Sequence, residues 1–441
     1  MSDTSVFRAY MIDGYPSVFP DQDIRPYSFT LSRRQALEDL AAFQYLLDTS
    51  YSGREFWEKQ GNSFSAAYAR VADWIRGCDG PVPISDFLSA LHDRFSFIHD
   101  GHLSVSSAEG ERVSFAHTYK AYFADVLLKD TGECCTVVSS RAPGLPVGRQ
   151  IGKRLISDHL FPTLSPSGET HYYLGRRSWT TGQAVSPTRE LVLDDGGEAI
   201  RLLLHPCRAS QSRGDHGVFS FAETQGIPIV RSSVFWEGAE GYSETRAAQF
   251  EALGRRLRSR SRLIWDMHDN GGGDSDYPQR FLHGLNENAQ WRVDCATLSS
   301  PAILRAKGQS VPRDCARLWT FSPFPSGEGT RGAYGGAMYL LTSEQVGSSA
   351  EAAVSMATNV PHCIRIGEST GGRGTFGETL HYELPHSRLV CCVPHKLFLS
   401  GAEEGIGYAP DYWLDTPALC EETIKWLKRP KTYRAPVGAG N

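Results

Sequence analysis

The sequence predicts a mixed α/β chain, α+β overall. A helical N-terminal region and a β-rich stretch should precede a core of alternating strands and helices. Three observations predict this. Apolar residues recur at helical spacing between Ser32 and Phe97. Short alternating strands, broken by Gly, Pro and Ser, fill Val113 to Pro206. Buried strands then alternate with amphipathic helices, the rhythm of an α/β core.

The first helix is expected over Ser32 to Asp48, with Ser32 as cap and Leu37, Leu40, Ala41, Tyr45 and Leu46 on its apolar face. A second fits Ser63 to Arg76, where Phe64, Tyr68, Val71 and Trp74 share a face. A third fits Ser85 to Phe97, capped by Ser85. At His99-Asp100-Gly101-His102-Leu103 the helical period gives way to a loop and an extended run. The β-rich stretch contains CTVVSS, THYYLG, ELVLDD and AIRLLLH. Beyond it, Ile227 to Phe235 reads as a strand, Glu244 to Arg258 as a helix and Leu263 to Met267 as a buried strand. Ala337 to Leu341 is a strand, Ser349 to Ala357 a helix and Ile364 to Ile366 a strand.

Composition excludes several classes of function. Hydrophobic residues make up 40% and charged residues 22% of the chain, which rules against a disordered protein. A net charge of −5 over 441 residues gives no overall reason to bind a polyanion. The basic run Arg255 to Arg262 has no aromatic residues interleaved and sits at a helix end, where cations complement the dipole. No nucleic-acid partner is therefore expected. No run approaches the roughly 18 apolar residues of a membrane span, so no membrane partner is expected either. The N-terminus lacks the pattern of a secretory signal. The ten cysteines include no CxxC pair. They are expected to be reduced in a cytoplasmic compartment, with no metal. There is no Gly-rich phosphate loop, and no cofactor is expected.

Three segments of the core place small or polar residues after a strand, where α/β proteins put their sites. The first is Asp266-Met267-His268-Asp269-Asn270-Gly271-Gly272-Gly273. Its glycines let backbone N–H groups approach a ligand, although an ordinary strand-to-helix loop would read the same way. The second is Gly347-Ser348-Ser349-Ala350-Glu351. Serine is a common helix N-cap, and taken alone capping is the commoner explanation. A nucleophilic serine also suits this place, because a helix N-terminus supplies N–H donors for an oxyanion. The third is Gly367-Glu368-Ser369-Thr370-Gly371-Gly372-Arg373, followed further on by Glu403-Glu404 and the run Gly405 to Asp411.

In this order, these motifs resemble those of the C-terminal-processing (tail-specific) serine peptidase family. The resemblance covers about the last half of the chain well and Asp100-Gly101-His102-Leu103 locally. It implies a crotonase-like ββα catalytic core and a peptide or protein substrate. It also implies Ser348 as nucleophile. One branch of the family uses a lysine as base, and that lysine falls on Arg373, 25 residues after Ser348. Arginine keeps its proton and cannot serve. The tricorn-like branch instead uses a histidine before a strand and a glutamate near the end. On this chain those roles fall on His102 and Glu404, with His99 and Glu403 as competitors. The oxyanion amides would be those of Ser349 and Gly272, or Gly271. Ser104 would stand behind the histidine. His268, where the family has arginine, could place a second imidazole near the site.

The expected organisation is a helical domain with the His102 segment at 1–112, a small PDZ-like β-module at 113–215, a catalytic core at 216–428 and a flexible tail at 429–441. The expected function is peptide-bond cleavage through a Ser348 acyl-enzyme. Two alternatives stay open. The acyl group could pass to another nucleophile in a biosynthetic pathway, or Arg373 could mark a catalytically silent peptide-binding protein. The sequence does not speak to oligomeric state.

Overall fold

The computed structural model describes residues 8–9, 29–107, 110–165, 168–181, 188–194, 199–209, 216–237, 241–287, 293–323, 334–399 and 403–428. The expected tail at 429–441 lies outside the described residues.

The N-terminal helices form as their patterns require. Arg33–Ser50 opens with a full capping box, in which Ser32 and Gln35 satisfy each other's backbone N–H groups. Phe64–Gly77 is capped by the Ser63 hydroxyl. The third expected helix, found as Ile84–Arg94 after an additional short helix at Arg54–Lys59, starts after Pro83, so Ser85 lies inside its first turn and does not cap it. It also ends before Phe97. Phe95 and Phe97 turn inward instead, onto Phe64 at 6.1 and 5.2 Å between ring centres. The region is not self-contained. Its core residues Phe43, Leu47 and Phe95 share one apolar cluster with Phe376, Leu380 and Val393 of the C-terminal half.

Five parallel partners form the heart of a 13-stranded sheet: Ile227–Arg231, Arg262–Asp266, Ala337–Thr342, Cys363–Gly367 and Tyr412–Trp413. Helices Glu244–Leu257 and Asp276–Leu285 cover one face. They approach closely because Gly254 and Gly284 face each other's backbone; a Cβ on Gly254 would lie 2.3 Å from the Phe281 carbonyl oxygen. The helix Ser349–Ala357 packs on the same side. The register pairs Asp266 with Leu341, and Leu341 with Ile366, so three strands end level. Each of the three motifs follows one of those ends within a few residues.

The β-rich stretch has its own apolar cluster around Leu128, Val137, Leu174 and Leu202. Its strands are nevertheless not a separate sheet. Thr163 pairs with Trp413 and joins them to the core sheet. A second, seven-stranded sheet contains the hairpin Phe376–Glu383 and Val390–Phe398. Ser104–Ser106 adds to its edge, with Ser104 opposite Cys392. That pairing brings the N-terminal histidine segment across to the core. The basic run 255–262 is spent on the surface, with Arg255 paired to Glu251, Arg258 to Glu287 and Arg260 to Glu223.

Candidate active site

Ser348 sits at the turn between the Ala337–Thr342 strand and the Ser349–Ala357 helix. Its backbone has φ 55° and ψ −126°, a conformation that L-residues rarely adopt. Such a backbone costs about 1–3 kcal/mol and persists only where its surroundings hold it. They do so here. The Ser348 N–H donates to the Arg373 carbonyl at 3.1 Å, and the Gly347 N–H donates to the Asn270 carbonyl at 3.3 Å. The Ser348 carbonyl accepts from Glu351 and Ala352 at 2.9 and 3.1 Å. The hydroxyl makes no capping hydrogen bond to the helix. Capping therefore does not explain this serine. A sharp strand-to-helix turn of this kind is one in which a serine hydroxyl can be held away from the helix.

The hydroxyl opens onto a cavity of about 510 Å³. Its wall includes His102, Gly273, Ser349 and Arg373, with Trp236, Phe376, Phe398 and Tyr408 as aromatic surface. The motifs that build it are joined to one another. The Glu351 carboxylate accepts the Thr370 hydroxyl and the N–H groups of Gly372 and Arg373, the latter two at 2.8 and 2.6 Å. The Gly405 N–H donates to the Gly372 carbonyl at 2.7 Å. Glu404 accepts the Gly101 N–H through Oε1 and the Thr375 N–H through Oε2, both at 3.1 Å. One chain of contacts thus runs from the helix start to the His102 segment.

Glu404 is buried and Glu403 exposed, which separates the two competitors. Asp100, His102 and Glu404 each bring one donor atom to within 4.8 Å of the others. Asp100 Oδ1 accepts the His102 and Leu103 N–H groups at 2.7 and 3.3 Å and so shapes the turn. Burial lifts the Asp100 carboxyl to about 7. Burial first, and then the Asp100 charge, lift Glu404 well above the usual carboxylate range. Among the described residues these three are the group that could hold a metal ion. Both Glu404 oxygens accept backbone N–H groups, and His102 Nδ1 is buried without a hydrogen-bond partner.

Burial, reinforced by the Arg373 charge, lowers His102 to about 4. The imidazole is therefore neutral at neutral pH, as a general base must be. The competing histidines are elsewhere. His268 Nδ1 lies 2.5 Å from Asp266 Oδ1 at the strand end, outside the cavity wall. His99 stacks on His117, 3.8 Å between ring centres, with Trp57 and Trp179 at 5.7 and 6.0 Å. Ser104 accepts from Arg112 at 3.2 Å rather than backing His102.

The Gly272 N–H is already donated to Asn270 Oδ1 at 2.9 Å, while Gly271 is not on the cavity wall. Gly273 and Ser349 are on it, and among the described residues neither of their N–H groups has a partner. Nothing in the repeated glycines tells which one faces the cavity. The Asn270 side chain decides it. Asp100 as a second buried carboxyl, and the four aromatic wall residues, also went unread in the sequence.

The stacked pair gives a test of its own. Burial lowers His99. Burial, then the charges of His99 and His92, take His117 from 6.5 to about 4. Neutral forms are favoured in the fold, so this stability is full above pH 6.5 and is lost as pH falls toward 4. Tyr119, Arg177 and Asp100 are the other titratable or charged groups on the surrounding elements. Melting temperature is expected to fall across that window, and to fall less in His117→Phe, which keeps the stack without the charge. Parallel curves for the two proteins would sink this account.

No family model matches the chain, and no curated protein sequence matches it. Solved structures similar to it include mature CPAF complexed with lactacystin, at 14% identity and TM-score 0.45, covering 87% of this chain and 94% of that one. A second is a putative peptidase from Parabacteroides merdae ATCC 43184, at 14% identity and TM-score 0.44, covering 90% and 97%. A third is the photosystem II D1 C-terminal processing protease, at 13% identity and TM-score 0.36, covering 86% and 93%. Proteases of the kind that the motifs resemble thus stand among the similar structures. At these identities and TM-scores, none of them by itself says what this chain does.

Proposed function

We propose that this protein is a serine peptidase of the C-terminal-processing family, working through a Ser348 acyl-enzyme. The observation that carries the reading is the strained Ser348 turn. Its hydroxyl is withheld from the helix and presented to a cavity that also holds a neutral His102. In the proposed reaction His102 takes the Ser348 proton as Oγ attacks the scissile carbonyl, and returns it to the leaving amine. Glu404, with an oxygen within 4.8 Å of a His102 ring nitrogen, closes on His102 Nδ1 and orients it. Burial favours the neutral carboxyl, and the imidazolium forming beside it favours the carboxylate that stabilises the cation. The Ser349 and Gly273 amides take the oxyanion. Water then repeats the sequence on the acyl-enzyme and releases the acid product. Arg373 is no base here, and with His102 present its position does not imply a silent protein. The crotonase-like core and the cytoplasmic setting remain part of this proposal.

A fluorophosphonate probe tests it. Labelling is expected on Ser348, located by peptide mass, and is expected to vanish in Ser348→Ala. An unlabelled wild-type protein that melts cooperatively would overturn the hydrolase reading in favour of a peptide-binding protein.

A further inference from the structure

Arg373 is the charged group in the cavity that the reaction leaves unused. Its stem is fixed between glycines. A Cβ on Gly101 would lie 2.5 Å from Arg373 Cγ, and one on Gly347 would lie 3.0 Å from Arg373 Cδ. The guanidinium therefore has little freedom to swing out to solvent. It lines the cavity beside Ser348 and His102. Its Nε is buried without a hydrogen-bond partner, and among the described residues it forms no ion pair.

The acids nearby are committed elsewhere. The Glu351 carboxylate is taken by Thr370 and two backbone N–H groups. Glu378 is shared by Lys307, Lys396 and His395 at 3.0, 2.9 and 3.2 Å. Asp274 accepts the Asp276 N–H at 2.9 Å on the wall with Trp236 and Ser275. Glu404 faces Gly101 and Thr375. The Arg373 charge is felt by Glu351, but the guanidinium Nε is left buried without a hydrogen-bond partner, which is costly, and a bound anion lowers that cost. A guanidinium presents paired N–H donors that match a carboxylate.

We propose that Arg373 receives a substrate carboxylate close to the scissile bond, so that the enzyme acts on peptides carrying an acidic side chain or a free C-terminus there. The proposal rests on the acyl-enzyme reading above and adds the substrate class. It also changes the role of the altered position: where the family's other branch holds its base, this chain holds a specificity-determining residue. A kinetic consequence follows. The Arg373 charge opposes protonation of His102. A docked carboxylate cancels that field, which helps the imidazolium that forms as Ser348 attacks. Carboxylate substrates should therefore gain in kcat as well as in KM. The acid limb of kcat should lie at higher pH for them than for neutral analogues.

The experiment uses the whole protein and a peptide library whose members carry Glu, Gln or Lys in turn at each position, each as free acid and as C-terminal amide. Products are read by mass spectrometry. Cleaved peptides are expected to be enriched about 10-fold for a carboxylate within two residues of the cut. Enrichment among Glu-containing amides assigns it to a side chain, and enrichment among free acids assigns it to the C-terminus. The preference should disappear in Arg373→Gln, be partly kept in Arg373→Lys and move to Lys-containing peptides in Arg373→Glu. Fluorophosphonate labelling of Ser348 is followed in each variant to show that the site is intact. Equal cleavage of Glu and Gln peptides with labelling preserved overturns the proposal and spares the peptidase reading. A preference that survives Arg373→Gln overturns it too. So does cleavage of no peptide by a labelled enzyme, since the library contains the proposed substrate class. Loss of labelling in the wild type removes the reading on which it rests.

Discussion

His102→Ala is expected to lower peptide turnover by about 10⁴-fold, the upper range for removing a positioned general base. Fluorophosphonate labelling of Ser348 should fall with it. A serine hydroxyl is a weak nucleophile until a base takes its proton, and the cavity wall offers few candidates. His381 also lines the cavity, on the Phe376–Glu383 strand, but it is His102 that has a ring nitrogen within 4.8 Å of a Glu404 oxygen. Arg373 does not give up its proton at working pH. His99→Ala and His268→Ala are the controls, and each should leave turnover within a few-fold of wild type. The pH profile sharpens the assignment. Burial and the Arg373 charge hold His102 near 4, so the base is charged only below that pH. The acid limb of kcat/KM on neutral substrates should therefore fall near pH 4 rather than near the 6.5 of an unperturbed imidazole. Arg373→Gln removes one of the two causes of the depression and should raise that limb. Turnover that survives His102→Ala within 10-fold would transfer the base role to His381, the remaining imidazole on the wall.

Much of the architecture follows from local patterns, and its failures are instructive. The Ser349–Ala357 helix and the strands around it are set by apolar period and by small residues at their ends, and both expected limits of that helix hold. The third N-terminal helix is shorter than its pattern implied, because two phenylalanines serve an aromatic cluster instead of a helix face. The β-rich stretch reads locally as a unit of its own. Only the distant pairing of Thr163 with Trp413 makes it part of the core sheet, and no window of sequence contains that fact. The site divides the same way. Ser348, His102 and Glu404 stand in motifs whose order is legible. Which of two adjacent acids is buried is not legible, nor is which of three glycines faces the cavity. Those choices depend on the Gly405 loop resting on Gly372 and on the Asn270 side chain. Arg373 could be read only as a missing lysine, because its buried, unpartnered Nε is a property of the assembled cavity.

The two glycines before Gly273 should respond very differently to alanine, and this is the second large effect expected. At Gly272 φ is +109°, a region that an L side chain enters only under strain. An added Cβ would lie 2.7 Å from both the Gly347 carbonyl oxygen and Ser348 Cβ, and 3.1 Å from the Ser349 nitrogen. Those atoms are backbone or the Ser348 Cβ, and the hydrogen bonds around Ser348 leave them little room to yield. Either the Asn270 turn or the Ser348 turn must shift. A displacement of about 1 Å at a nucleophile costs about 100-fold, and a misplaced oxyanion donor costs about 100- to 1,000-fold. Gly272→Ala is therefore expected to lower kcat by at least about 100-fold while the protein still melts cooperatively. At Gly271, by contrast, a Cβ would meet nothing within 4 Å. Its φ is not in the left-handed region either. Gly271→Ala should thus keep turnover within a few-fold and serve as the matched control. If Gly271→Ala were as damaging as Gly272→Ala, the Gly271 amide itself would be needed for the oxyanion. The proposed assignment of that role to Gly273 would then fail. If neither substitution mattered, the close approach of the glycine turn to Ser348 would have no part in catalysis.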